Sequence, residues 1–228
     1  MEQNDQGLPS RPQLADDVAT YVRDMIVSGQ VRGGDFLRLE NLADKLGISV
    51  TPVREALVLL RGEGFVVLQP RRGFMVAPFS KQDILDVYTV HSYLAGELAA
   101  RACTHLDAES ITSLHDVQAE LEAAHKRSDA QEVERQNFKF HRTINNAAHS
   151  PKIAQLLLNA THYSPRLFFS EIPGWSEASA DDHDAILAAI NEGNAEKART
   201  AMMQHITNAG ALLADHLELQ GMWEPELS

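Results

Sequence analysis

The sequence predicts a mostly α-helical protein: an N-terminal winged helix-turn-helix with a small β-hairpin, followed by an all-α bundle of six helices. Three observations lead to this fold class. Aromatic residues make up only 6% of the 228 residues, while alanine and leucine are abundant, which favours helices over a β-sandwich. Runs of β-branched and aromatic residues are confined to the first third of the chain. Beyond residue 79, apolar positions recur at helical spacing between capping residues and glycine or proline breaks.

The composition limits the class of protein. Hydrophobic residues make up 44% of the chain and charged residues 23%, a balance that buries a core and excludes a disordered chain. No apolar run approaches the roughly 18 residues of a membrane-spanning helix, and the N-terminus lacks the basic and then apolar order of a secretion signal. The single cysteine, Cys103, excludes an intrachain disulfide framework and fits a reducing compartment. We therefore expect a cytoplasmic protein with no membrane contact.

Charge is distributed unevenly along the chain. The net charge is −12, yet residues 1–79 hold 9 Lys/Arg against 10 Asp/Glu, whereas the remainder holds 11 against 22. An acidic surface repels a polyanion, so the total charge argues against nucleic acid, but a near-neutral first third indicates two domains with different partners. The predicted division is a flexible arm over 1–13, a winged helix-turn-helix over 14–78, a helical domain over 79–220 and a tail over 221–228.

The first domain is predicted to open with two helices. Apolar residues at helical spacing from Leu14 to Ile26 indicate an amphipathic helix over 14–28. A short helix fits 40–46, and Gly47 ends it as a left-handed C-terminal cap. This arrangement places a tight turn directly after the short helix.

A third helix and a hairpin complete the first domain. Ser49 is placed to cap the helix, and Pro52 falls in its first turn, where the missing N–H costs nothing. Two glycines then end the helix. The runs 65–68 and 74–76 form a hairpin whose tip carries two arginines.

The second domain is predicted to consist of helices only. Ser80 and Asp83 resemble a capping box in which aspartate replaces the usual glutamate, and Asp107 and Asn194 are placed to cap later helices. Pro151 marks a further helix start. The predicted helices extend from 80 to about 103, from 107 to about 127, and over about 129–148, 151–170, 178–192 and 194–219.

The start of the third helix is the candidate DNA-reading segment. In a helix-turn-helix, the second helix of the motif enters the major groove with its N-terminal residues touching bases and phosphates. The Ser49 and Thr51 hydroxyls can donate hydrogen bonds to phosphate oxygens. Arg54 is placed to donate hydrogen bonds to guanine O6 and N7 or to a phosphate. The alternative is that the hydroxyls only cap the helix and the arginines are solvated. The candidate DNA-binding residues are Arg38, Ser49, Val50, Thr51, Pro52, Arg54, Arg71, Arg72 and Gly73.

The stretch from Leu42 to Leu57 reads LADKLGISVTPVREAL and resembles the signature of GntR-family bacterial transcription regulators. The segments EGF at 63–65 and RGFMV at 72–76 are similar to the wing of that family. The helical remainder resembles the FCD type of effector domain, which is FadR-like, so the resemblance extends from residue 14 to about 219. It implies a dimeric regulator that binds a palindromic double-stranded DNA operator and responds to a small-molecule effector.

Three positions depart from the family pattern. Val50 stands where the family usually has arginine, which implies either a different operator, through contact with a thymine methyl group, or weaker binding. His91 and Ala95 stand where the family usually has arginine and glutamate. These two departures leave the chemistry of the effector open.

All ten histidines lie beyond residue 90, and three of them are candidate metal ligands. His141, His183 and His205 lie among apolar neighbours on predicted helices. Asn137 lies four residues before His141, so the two share a helix face and can bind one ion. Borderline divalent metals favour imidazole together with an oxygen ligand. Spacing does not show that three helices converge, and a buried structural histidine is the alternative at each position.

The resemblance to metal-binding FCD domains implies that these four residues form one metal site. Zinc is the expected cofactor, with nickel or manganese as alternatives, and a neutral Asn137 binds more weakly than the aspartate that the family also uses. The implied effector is a small organic acid held at open positions of the metal. His91 and Arg166 are the candidate effector-binding residues, since a guanidinium pairs a carboxylate bidentately, although both equally fit an ordinary surface or helix-pairing role.

Two other functions compete with a ligand-responsive regulator. One is a metal-dependent hydrolase or lyase with an accessory winged domain, but no residue stands out as a general base, since Asp182 and Asp184 flank His183 without a clear geometry. The other is a winged helix used only as a protein-interaction module, which predicts no salt-dependent affinity for DNA. We expect a regulator and not an enzyme.

Overall fold

The structure is a computed structural model that describes residues 11–163, 172 and 174–222. It divides into two compact units, Met1–Phe79 and Ser80–Ser228. Most of the predicted arm and tail, and Arg166 among the candidate site residues, lie outside the described residues. No helix in the described ranges combines the length and hydrophobicity needed to cross a bilayer.

The first unit is a winged helix-turn-helix, as predicted. Among its described residues, helix α3 packs against α1 and α2, and strand β3 lies between β1 and β2 in an antiparallel sheet. The strand β1 was not predicted, because two residues are too few to show a periodic pattern. The elements are α1 (Arg11–Val27), β1 (Phe36–Leu37), α2 (Leu39–Leu46), α3 (Val50–Gly62), β2 (Val66–Gln69) and β3 (Gly73–Val76).

Local backbone chemistry forms the turn between α2 and α3. Gly47 has φ 67° and ψ 32°, the left-handed conformation predicted for it, which glycine adopts without a steric penalty. Ser49 is the N-cap residue of α3 with extended backbone, but its hydroxyl makes no capping hydrogen bond. The predicted position of the cap is confirmed, and the hydrogen bond expected from its side chain is absent. Val53 and Leu57, both fully buried, lie on the apolar face of α3.

A part-buried ion pair joins α1 to the C-terminal end of α3. The Arg23 guanidinium donates to both carboxylate oxygens of Glu63 at 2.8 to 3.0 Å. The two side chains are 10% and 27% exposed, so the pair is partly shielded from water. A bidentate pair of this kind fixes the relative orientation of the two helices as well as their distance.

The second unit contains only helices among its described residues, as predicted. Ser80 and Asp83 form the predicted capping box, and the side chains of Asp107 and Asn194 accept hydrogen bonds from backbone N–H groups three residues later. The elements are α4 (Lys81–Ala102), α5 (Ala108–Lys126), α6 (Ala130–Ala147), α7 (Pro151–Thr161), α8 (Trp175–Asn191) and α9 (Ala195–Leu219).

Three helix bounds differ from the prediction by three residues or more, and the first is that α1 begins at Arg11, inside the predicted flexible arm, and not at residue 14. Helix α7 ends at Thr161 and not near residue 170, because the N–H groups of His162 and Tyr163 bond to carbonyls three residues back and tighten the chain into a turn. Pro165, which disfavours helix in the residue before it, was the overlooked sequence signal. Helix α8 begins three residues earlier than predicted, after Gly174 at φ 80°.

Helices α4 and α9 approach each other closely because glycine occupies their contact. A Cβ atom at Gly210 would lie 2.5 Å from Cγ of Tyr88, and a Cβ at Gly96 would lie 2.6 Å from Cγ of Met203. The Tyr88 atoms lie near the backbone and cannot swing away, whereas the Met203 side chain is flexible. Helix α4 also packs against α6 and α7, so the close approach at Gly210 sets the position of α9 in the bundle.

Gly210→Ala is expected to lower the free energy of unfolding by about 1–3 kcal/mol, because the added methyl group overpacks the contact with Tyr88. Chemical denaturation of the full chain, followed by circular dichroism, measures this change. Gly62→Ala is the control, since a Cβ at this helical glycine meets nothing within 4 Å. Equal unfolding midpoints for Gly210→Ala and the parent protein would contradict the close approach.

Candidate DNA interface and metal centre

The N-terminal turn of α3 presents polar side chains to solvent. Ser49, Thr51 and Arg54 are exposed, and Val50 is half-buried at the first position of the helix. Pro52 is buried and belongs to the apolar face of the helix, so its expected contact with DNA is replaced by a role in the domain core. The exposed residues supply two hydroxyls and one guanidinium at the helix end that carries the partial positive charge of the helix dipole.

The tip of the wing between β2 and β3 presents two exposed arginines. Arg71 has φ 63°, a left-handed conformation that non-glycine residues rarely adopt, and it is followed after one residue by Gly73 at φ 94°. The Arg72 guanidinium lies 4.4 Å from the ring centroid of Phe36, a cation–π contact that holds this side chain against the sheet. Arg38, the N-cap residue of α2, is also exposed. The same compact unit therefore displays all four candidate cations.

The structure brings the three candidate histidines together inside the second unit. His141 on α6, His183 on α8 and His205 on α9 each offer a ligand atom, and these atoms lie within 4.8 Å of one another. The Nε2 atoms of His141 and His205 are 3.2 Å apart. His183 and His205 are 0% and 3% exposed, so the cluster is shielded from solvent. Spacing alone left this convergence open.

The ligand nitrogen atoms of the three histidines lie close enough together to hold one divalent cation. Among the described residues, His183 Nε2 and Asn137 Oδ1 are buried and have no hydrogen-bond partner. An unsatisfied buried polar atom costs about 1–3 kcal/mol, so such atoms are rare without a function. Three imidazole nitrogens and one amide oxygen are a donor set that borderline divalent metals accept.

Neighbouring side chains hold two of the rings in place. The His183 ring stacks on Phe140 with 4.0 Å between ring centroids and 10° between ring planes. Its Nδ1 atom lies 2.9 Å from Oε1 of Gln118 on α5, and His205 Nδ1 lies 3.4 Å from Oδ2 of Asp182. Sequence reasoning missed Gln118, which lies 65 residues from its partner and carries no local signal. Asp182 was noted from the sequence because it flanks His183, but the contact of Asp182 with His205 depends on helix packing.

The candidate effector residues are placed differently from the three histidines. His91 on α4 is buried, its Nδ1 atom has no hydrogen-bond partner, and its ring centroid lies 5.6 Å from that of Tyr88. It is not a member of the cluster whose ligand atoms lie within 4.8 Å. Ala95, one turn further along α4, is also buried. Arg166 lies outside the described residues.

Burial keeps these imidazoles neutral at pH 7. Desolvation lowers the pKa of His91 to about 4, and the nearby His205 adds a smaller lowering. Desolvation also lowers the pKa values of His141 and His183 well below their usual range. Hydrogen bonds from His205 and Asn208 lower the pKa of Asp182 although burial opposes them. Neutral imidazoles offer lone pairs, which metal coordination requires.

Both units are similar to known families. Residues 14–76 match the family described as bacterial regulatory proteins, gntR family, and residues 86–208 match the FCD domain. The chain is 25% identical over 193 residues to the uncharacterized HTH-type transcriptional regulator YdhC of Bacillus subtilis, which covers 82% of this chain and 85% of that protein. It is 30% identical over 135 residues to the gluconate operon transcriptional repressor of Bacillus licheniformis, over 59% of this chain and 55% of that protein.

A solved structure shares the fold. The structure of McbR/YncC from E. coli aligns with a TM-score of 0.71 at 21% sequence identity, covering 92% of this chain and 99% of that one. The two relatives above are named as a transcriptional regulator and a transcriptional repressor, not as enzymes.

The metal-free protein is expected to lose stability as the pH falls from about 6.5 towards 4. A histidine with a lowered pKa takes up its proton in the unfolded chain first, so acid favours unfolding, and the full stability is present above pH 6.5. His91 alone accounts for about 3 kcal/mol over this range. Melting temperatures of chelator-treated protein between pH 8 and pH 5 measure the effect, in a range where carboxylates stay ionised.

His91→Gln is the matched variant for this measurement. Its melting temperature is expected to fall less steeply between pH 6.5 and 5 than that of the parent protein. A parent protein whose melting temperature stays constant from pH 8 to 5 would contradict the neutral, buried state of these rings.

Proposed function

The chain belongs to the GntR family of bacterial regulatory proteins and carries an FCD domain, and from this premise we propose that it is a ligand-responsive regulator that acts as a homodimer on a palindromic operator. As a GntR-family protein it is a DNA-binding transcription regulator. The proposal adds a dimer, a divalent metal and a small carboxylate effector. The observation that carries it is the pairing of an exposed, polar start of α3 with a cluster of three histidines whose ligand atoms lie within 4.8 Å of one another.

DNA recognition begins at α3. In this motif the start of the second helix enters the major groove, so Arg54 reaches base edges or a phosphate, and the Ser49 and Thr51 hydroxyls contact phosphate oxygens. The half-buried Val50 offers an apolar surface suited to a thymine methyl group. The wing arginines and Arg38 add backbone or minor-groove contacts. Two copies of this unit would occupy the two halves of a palindrome.

The metal site of the second unit is assigned to Asn137, His141, His183 and His205. Zinc is the proposed ion, with nickel or manganese as alternatives, because imidazole nitrogens dominate the donor set. When bound, a divalent cation supplies open coordination positions for an oxygen ligand. The four protein donors are neutral, so they leave the positive charge of the site largely uncompensated, and an anionic effector is favoured there.

A small carboxylate is the proposed effector, because it is an anion whose oxygen atoms can bind a divalent cation. Its oxygen atoms suit the open positions, and the unpaired Nδ1 atom of the buried His91 is available for a hydrogen bond to it. Arg166 is proposed as the guanidinium partner of the carboxylate. The Bacillus licheniformis relative is named for the gluconate operon, and gluconate is itself a carboxylate. Effector binding would then shift the population of dimers whose DNA-binding units match the spacing of the half-sites.

Arg54→Ala is expected to weaken specific operator binding about 10- to 100-fold, since a good guanidinium contact to a base contributes about 1–3 kcal/mol. Gel-shift titrations against genomic fragments at several salt concentrations measure the affinity and its salt slope. Arg61→Ala is the matched control, because Arg61 is equally exposed but lies in the last turn of the same helix. Equal operator affinity for Arg54→Ala and the parent protein would show that this helix start does not read DNA.

His183→Ala combined with His205→Ala is expected to reduce the bound zinc, nickel or manganese to background levels. The melting temperature in the presence of metal should also fall, because an ion that binds only the folded state stabilises it. Elemental analysis of protein purified without chelator or histidine tag measures the metal content. His125→Ala, which removes an exposed histidine of α5, is the control. Equal metal content in the double variant and the parent protein would remove the metal from the proposal.

A further inference from the structure

We propose that Gln118 is a positioning residue that fixes the tautomer of His183 and leaves Nε2 of that ring free to bind a divalent cation. The inference rests on the proposed function, since the cation is the one assigned to this site above. It adds a residue of α5 to a site whose ligands lie on α6, α8 and α9.

The orientation of the Gln118 amide is determined by its two other partners. Its Nε2 atom donates to Oε1 of Glu122 at 3.1 Å and to the backbone oxygen of Ala180 at 3.5 Å. A carboxylate and a carbonyl only accept hydrogen bonds. Reversing the amide would place its oxygen against two other oxygens and lose both bonds. The amide oxygen of Gln118 must therefore face His183.

This orientation decides where the proton of His183 lies. Oε1 of Gln118 can only accept, and it lies 2.9 Å from Nδ1 of His183, so Nδ1 carries the proton and donates it. A neutral imidazole has one N–H, so Nε2 carries a lone pair. That Nε2 atom is buried and has no hydrogen-bond partner in the protein. Its lone pair is therefore available to the ion.

The other two histidines lack this preparation. His205 Nδ1 faces the carboxylate of Asp182, which only accepts, so Nδ1 carries a proton. The Nε2 atoms of His141 and His205 lie 3.2 Å apart, so one proton lies between them in the metal-free protein. For both Nε2 atoms to bind an ion, this proton must move to Nδ1 of His141 or leave to solvent. His183 is thus the one ligand of the three whose lone pair is neither protonated nor occupied beforehand.

The stacked contact with Phe140 completes the positioning. It restrains the ring plane of His183, while the bond to Gln118 restrains rotation within that plane. Outer hydrogen bonds of this kind orient a metal-binding histidine, and their removal typically costs about 10- to 100-fold in metal affinity.

The test compares zinc affinities by competition with a chromophoric chelator. Gln118→Met keeps the volume of the side chain but removes the acceptor, and it should bind zinc about 10- to 100-fold more weakly. Gln118→Glu combined with Glu122→Gln keeps an acceptor facing Nδ1, supplies an amide donor to the new carboxylate, and should bind at least as tightly as the parent protein. Gln136→Met is the matched control: Gln136 is also buried, its amide also donates to a glutamate four residues away, and it bonds to no histidine. It should leave zinc affinity unchanged within about twofold.

Histidine nitrogen chemical shifts of the metal-free protein give a second measurement that does not depend on metal. His183 should carry its proton on Nδ1 in the parent protein and in the Gln118→Glu, Glu122→Gln double variant, and should populate both tautomers in Gln118→Met. Parent protein with the proton on Nε2 would overturn the proposal, as would a Gln118→Met variant with unchanged tautomer and zinc affinity. If Gln118→Met does not fold, weakened zinc binding by the double variant overturns it. A parent protein with the expected tautomer but no zinc binding would support the role of Gln118 and refute the metal in the proposed function.

Discussion

Three imidazole rings meet in the interior of the second unit, and their buried nitrogen atoms limit how the surrounding helices can pack. Each ring comes from a different helix, so α6, α8 and α9 must pack in one register for the rings to meet. The close contact of α4 with α9 at Gly210, the Phe140 stack and the amide of Gln118 supply that restraint. The unpaired His183 Nε2 and Asn137 Oδ1 cost stability in the metal-free chain. The helical unit therefore gives up some stability at the atoms that we propose as metal ligands.

The two units differ in their balance of acidic and basic residues. The chain as a whole is acidic, with a net charge of −12, yet the first unit exposes arginines at the start of α3 and on the wing. A local group of exposed cations attracts a polyanion even when the total charge is negative. Residues 1–79 hold 9 Lys/Arg against 10 Asp/Glu and the remainder holds 11 against 22, so repulsion of a polyanion is weakest at the first unit. Total charge was thus a poor guide to the partner, and its distribution along the chain was informative.

What the sequence predicted well depends on neighbours in the chain. The caps at Ser80, Asp107 and Asn194 and the left-handed Gly47 follow from residues within one helical turn, and the structure confirms them. The remaining features join distant segments. The Arg23–Glu63 pair spans forty residues, and the contacts of Gln118 and Asp182 with their histidines depend on helix packing that no local pattern reports. The family resemblance indicated four metal ligands, but only the fold shows three of them meeting and identifies the side chains behind them.

The described helices begin either with or without a side-chain cap, and α7 and α8 of the second unit lack one as α2 and α3 of the first unit do. In the second unit, α4, α5, α6 and α9 each start with a side chain that satisfies a backbone N–H group. In the first unit, Arg38 and Ser49 precede α2 and α3 without such a bond. A side-chain cap is typically worth about 1 kcal/mol, which these two helix starts forgo. A phosphate oxygen can accept hydrogen bonds from the N–H groups of a helix start, so a bound DNA backbone would supply the caps that α2 and α3 lack.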